Sequence, residues 1–186
     1  MTRADLFTAI RAFLPGGRTF TNGEVQAIDA IADGFGLPRE GDPALVPALA
    51  LIKRFEGCEL DAYPDPGSGG DPWTIGWGAT GAGIRKGVRW TQAQADARLA
   101  EDVAKFMAGV IKAAPVATAN QRAAMTSLAY NIGLGAFQGS TLLRRHNSGN
   151  HAAAKAEFAR WNRASGKVLS GLVKRRAAEA EVYGRE

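Results

Sequence analysis

Apolar residues recur at helical spacing along most of this chain, with one interruption between residues 58 and 87. Leu6, Ile10, Phe13 and Leu14 share one face of a helix that Thr2 can cap and Pro15-Gly16-Gly17 breaks. Thr21-Asn22-Gly23-Glu24 has the form of a capping box, opening a second helix with Val25, Ile28, Ile31 and Ala32 on its apolar side. Gly36 to Pro43 reads as a linker, and 44–56 as a strongly apolar helix ending at Glu56-Gly57. Across 58–87 the pattern changes to glycines and turns with β-type residues at Tyr63 and Trp73 to Trp77, which predicts a small irregular sheet. Everything after Thr91 reads as helix. Thr91 with Gln94 opens one toward Val110, and Thr118 with Gln121 opens another that Gly133 stops. Ser140 can cap Leu142 to His146, and His151 to Trp161 and Leu172 to Val182 supply the last two. The fold class expected is α+β, predominantly α. A helical extension and linker over 1–43 precede a main domain over 44–186.

Composition narrows the class. At 186 residues the chain is long enough for one well-formed core, and 46% apolar with 22% charged residues is ordinary for a globular protein. The longest apolar run, Ala44 to Ile52, is nine residues and contains Pro47, so stable membrane insertion is not expected. The N-terminus shows no hydrophobic signal region, which predicts synthesis in the cytoplasm without a signal peptide or anchor. Cys58 is the single cysteine and reads as a small apolar group; His146 and His151 have no metal spacing, so neither metal nor cofactor is expected. The net charge is +5, with seven Lys/Arg against three Glu over 160–186. Such a surface suits polyanions in general: nucleic acid, anionic lipid or a bacterial wall. Residues 1–36 carry three Arg, no Lys and more acidic than basic groups, which argues against a DNA-reading module there.

Three residues carry the candidate chemistry. Glu56 stands at a helix end, Asp65 in the turn Tyr63-Pro64-Asp65-Pro66, and Thr74 on the strand that follows. Two carboxyls and a hydroxyl brought to one cleft suit acid-catalysed attack of water on a glycosidic bond. A general acid must keep its proton, and burial beside Phe55 and Leu51 favours that.

Phe55-Glu56-Gly57, Ala62-Tyr63-Pro64-Asp65 and Trp73-Thr74-Ile75-Gly76-Trp77-Gly78 resemble the phage-type lysozymes, the endolysins of glycoside hydrolase family 24. Tyr130-Asn131-Ile132-Gly133, Ser140-Thr141-Leu142-Leu143, Phe158-Ala159-Arg160-Trp161 and Gly171-Leu172-Val173-Lys174-Arg175-Arg176 follow in family order. The resemblance implies a lysozyme-like fold with a small β-hairpin lobe and a larger helical lobe. It implies hydrolysis of the β-1,4 bond between N-acetylmuramic acid and N-acetylglucosamine in peptidoglycan, by a monomer that depends on a holin for release. Glu56 would be the acid. Asp65, at the family spacing after it, and Thr74 would hold the attacking water. Inversion at the sugar carbon then requires the Glu56 and Asp65 carboxyls to stand roughly 6.5–9.5 Å apart.

Thr80, Tyr130, Asn131 and Ser140 match positions that line the sugar cleft, although Tyr130 and Phe137 read equally as core aromatics. Arg175 or Arg176 is a candidate to pair with a carboxylate near the active-site helix, with surface cation as the default reading. Two departures stand out: eight residues separate Asp65 from Thr74 where five are common, and Ala79 replaces a family histidine, leaving Asp102 without that partner. The rival readings are a lytic transglycosylase, which needs no held water, and a catalytically silent wall-binding module. A nucleic-acid binder rests on charge alone.

Overall fold

The computed structural model describes residues 3–14, 20–35, 42–64 and 69–185. Helix α1 spans Arg3–Arg11 and α2 spans Asn22–Gly34. Thr21 and Glu24 form the expected capping box, with the Glu24 carboxylate accepting the Thr21 N–H at 2.9 Å. Helix α1 ends before Phe13, which is 86% exposed, so that position does not join the apolar face read from the sequence. Ile28 and Ala32 are buried, and α2 lies against the long helix α4 (Gln92–Ala113). Thr2, Pro15-Gly16-Gly17 and Gly36–Gly41 lie outside the described residues. Asp42, at the end of the expected linker, is buried. Its carboxylate accepts the Ala44 N–H at 2.8 Å, receives Arg122 at 3.3 Å, and so holds the entry to the third helix.

That helix, α3, spans Leu45–Phe55. Pro47 is tolerated because it falls in the first turn, where backbone N–H groups have no partner within the helix. Ala48, Leu51 and Ile52 are buried against the helices that follow: α4 (Gln92–Ala113), α5 (Ala119–Ile132) and α9 (Ser170–Tyr183). Both predicted capping boxes, Thr91 with Gln94 and Thr118 with Gln121, are present. Helix α5 is the axis of the helical lobe. Every residue from Ala123 to Ala129 is buried, Thr126 and Ser127 included, so the helix is enclosed by others on all sides. Gly133 ends it at φ +87°, a conformation that glycine adopts without strain.

Short helices α6 (Leu134–Gln138), α7 (Thr141–Asn147) and α8 (His151–Glu157) then lead into a 3-10 turn at Phe158–Arg160. The sequence pattern gave no sign of α6. A two-residue hairpin, β3 (Arg163–Ala164) with β4 (Lys167–Val168), also corrects the expectation that everything after Thr91 is helical. Its turn residues Ser165 and Gly166 both have positive φ, +48° and +76°, the type I′ geometry that matches strand twist.

The small lobe pairs β1 (Glu59–Tyr63) antiparallel with β2 (Thr74–Gly76), in irregular register with Tyr63 opposite Thr74 and Glu59 opposite Gly76. Ile75, Ala79 and Ile84 form its core, backed by Trp73, Val88 and Trp90. Gly76 is needed in the strand motif: its φ is +64°, and a Cβ there would sit 3.2 Å from the Trp90 ring. This lobe meets α4 through β2, which sets the hairpin beside the end of α3.

Candidate active site

Helix α3 delivers Glu56 as its C-cap residue. The backbone turns extended there (φ −96°, ψ 140°) while the Glu56 N–H still donates to Ile52 O at 3.0 Å. The side chain therefore leaves the helix at the edge of the helical lobe, 28% exposed. It faces an open cleft of about 500 Å³ lined by Glu56, Gly57, Glu59, Tyr63 and Gly78. The cleft lies between the end of α3 and the hairpin lobe, so the acid meets solvent on one side and protein on the other.

The protein side is a cation. Arg175 Nη1 donates to Glu56 Oε1 at 2.6 Å across 119 positions of sequence. Arg175 is itself buried, its Nε 3.3 Å from Glu179 Oε1 and its guanidinium 5.9 Å from the Phe55 ring centroid. Glu179 is fully buried, accepting from Ser127 Oγ at 2.7 Å and from Arg176 Nη2 at 2.9 Å. Burial pushes the Glu179 carboxyl above its ordinary pKa and pulls the Arg176 guanidinium below its own, although each offsets the other's charge. The expected pairing with a carboxylate at the end of α3 is thus found for Arg175, and the default reading of Arg175 and Arg176 as surface cations is overturned. Helical spacing explains the cluster, because residues 175, 176 and 179 share the inward face of α9.

Ser127 and Glu179 were missed by sequence reasoning. The only available signal was an Arg-Arg-x-x-Glu spacing on a helix, which an exposed ion-paired face would show equally.

Asp65 lies outside the described residues, and with it the expected separation of the two carboxyls. Thr74 is half-buried on β2 directly across from Tyr63, and paired residues present their side chains to the same sheet face. Tyr63 lines the cleft, so Thr74 borders the same face one strand further in. Tyr130 comes from α5, donates its hydroxyl to Trp77 O at 3.2 Å, and stacks edge-on against Phe106 at 5.3 Å. Its pKa is pushed up to about 12, first by burial and then by the Glu56 and Asp102 charges. Phe137 is a fully buried core aromatic.

Thr80 and Asn131 are exposed, and the Thr80 carbonyl accepts from Arg98 at 3.3 Å. Ser140 is buried, and its hydroxyl accepts the Leu143 N–H at 3.1 Å as the cap of α7. Asp102 has no histidine, yet Arg98 and Lys105 each reach it at 2.8 Å. Cations of its own helix take the missing partner's place. Among the described residues, no three His, Cys, Asp or Glu side chains stand where they could share a metal ion.

Residues 53–179 match the phage lysozyme family model, which begins three residues before Glu56 and ends on Glu179. The chain belongs to the phage lysozyme family. It is 46% identical over 136 residues to the endolysin of Bacillus phage PZA, an alignment covering 73% of this chain and 52% of that one. The chain therefore spans about half the length of that relative. It is 43% identical over 140 residues to the endolysin of Acyrthosiphon pisum secondary endosymbiont phage 1, covering 73% of this chain and 93% of that one. Among solved structures, the muramidase domain of SpmX from Asticaccaulis excentricus superposes with a TM-score of 0.68 at 34% identity. That alignment covers 75% of this chain and 95% of the domain. Family membership and superposition together establish a lysozyme-like fold.

Proposed function

We propose that this member of the phage lysozyme family is an endolysin that hydrolyses the β-1,4 bond between N-acetylmuramic acid and N-acetylglucosamine in bacterial peptidoglycan. The observation that carries this reading is the Glu56 carboxyl, set at the mouth of the cleft by the end of α3 and gripped from behind by Arg175. Glu56 protonates the leaving oxygen. Asp65 and Thr74 hold the attacking water on the opposite face of the sugar, so the anomeric carbon inverts. Thr80, Tyr130 and Asn131 contact the sugar chain, and Ser140 supports it by holding α7. The protein works as a monomer, is made in the host cytoplasm and depends on a holin to reach the wall. No helix among the described residues is long and apolar enough to cross a membrane.

The test is Glu56→Gln, which keeps the shape and removes the donated proton. On Gram-negative cells stripped of their outer membrane, turbidity clearance should fall by roughly 10²–10⁴-fold, the usual worth of a positioned acid. NMR of the wild-type reaction should show the α-anomer as first product. Wild-type lysis by Glu56→Gln would remove Glu56 from the mechanism, and 1,6-anhydromuramoyl product ends would replace hydrolysis with transglycosylation.

A further inference from the structure

Residues 158–178 contain six Lys/Arg and no acidic residue. Arg175 and Arg176 are buried and the exposed Arg160 pairs with Glu157, which leaves Arg163, Lys167 and Lys174 exposed without such a pair. Among the described residues no carboxylate lies within ion-pair distance of these three. Between them, three aliphatic side chains stand in solvent: Val168 at 52% exposure, Leu169 at 44% and Val173 at 43%.

The six lie on two adjoining segments, the β3–β4 hairpin and the start of α9. Val168 pairs with Arg163 across the hairpin, and the Val173 N–H donates to Leu169 O, stacking those two side chains one turn apart. Beside Val173, a shallow groove of about 450 Å³ between α8 and α9 continues the apolar surface over Ala156, Ala159, Ala177 and Ala180. Arg175, two positions on and so roughly 200° round the helix, points to Glu56 instead. The surface is therefore turned away from the cleft.

Charge and apolarity together select the occupant. A hydrated polyanion or glycan would satisfy the cations and gain nothing from Val168, Leu169 and Val173. An anionic bilayer takes both, with lysine and arginine heads at the phosphates and aliphatic groups at the acyl boundary. We propose that the β3–β4 hairpin and the first turn of α9 dock this protein peripherally on anionic phospholipid membranes. Docking would hold the enzyme beside the wall, with the Glu56 cleft facing away from the lipid.

The test is co-sedimentation with phosphatidylglycerol-containing vesicles and with neutral phosphatidylcholine vesicles. The wild type should bind only the former. Lys167→Gln with Lys174→Gln should weaken binding about twenty-five-fold, taking roughly five-fold per cation. Val168→Ser with Leu169→Ser and Val173→Ser keeps every charge, and should weaken binding about ten-fold and abolish what survives at high salt. Both variants should clear stripped cells at the wild-type rate, which verifies their fold, since neither alters the cleft. Absence of binding to the anionic vesicles, or equal binding to neutral ones, would overturn the proposal. So would wild-type binding by the serine variant, since attraction of any basic protein would then suffice.

Discussion

Asp96 shows how single residues brace the cleft without touching it. It gathers Trp77 Nε1 at 2.7 Å, Gln92 Nε2 at 2.9 Å and Lys53 Nζ at 2.9 Å, which ties the strand motif to α3 and α4. Those donors, Lys53 first, lower its pKa from 3.8 to about 2. Folding therefore favours the ionised form, so the stabilisation is complete above pH 3.8 and is lost as pH falls through about 2. Urea denaturation should show wild type more stable than Asp96→Asn at pH 6, with the gap closing between pH 4 and 2. A gap that does not narrow would mean that the carboxylate charge contributes nothing. Glu56 was legible at this scale because a glutamate and glycine ending an apolar helix is a local pattern. Its clamp was legible only as one of two cations, Arg175 or Arg176, because nothing within reach of α9 in sequence says which of them faces Glu56.

Elements whose start signals lie within four residues were legible. The Thr91 and Thr118 boxes could be read because both hydrogen bonds of each join residues three apart. Thr91→Ala and Thr118→Ala should each lower unfolding free energy by about 1 kcal/mol, measured by chemical denaturation. A loss near zero would mean that tertiary packing alone fixes those helix starts. Helix α6 and the β3–β4 hairpin escaped because five-residue and two-residue elements carry too little periodicity to separate from loop. The position of α6 comes from tertiary contact: Leu134 fits against Gly109 of α4, where a larger residue would collide with it. The β1–β2 region was read correctly as small and irregular, since glycines and turns leave room for little ladder. The apolar face assigned to α1 overreached at Phe13, where the helix had already ended.

Helix α9 closes the molecule. It packs on α5 and α3, contributes Val182 and Tyr183 to the main core, and carries Arg175, Arg176 and Glu179 beneath the cleft. A chain cut after Gly171 loses all of these and leaves Ser127 without its partner Glu179. Such a fragment should lack near-ultraviolet circular dichroism and a cooperative melting transition; a cooperative melt would show that the remaining helices form a core unaided. The contact between Glu56 and Arg175 also sets an order of events during synthesis. The two are joined only after 119 further residues have been added, which at roughly 5–20 residues per second takes about 6–24 s. For that interval the ribosome carries a chain that already contains Glu56 but not the arginine that grips it. A chain whose translation stops anywhere between them keeps Glu56 permanently without that contact.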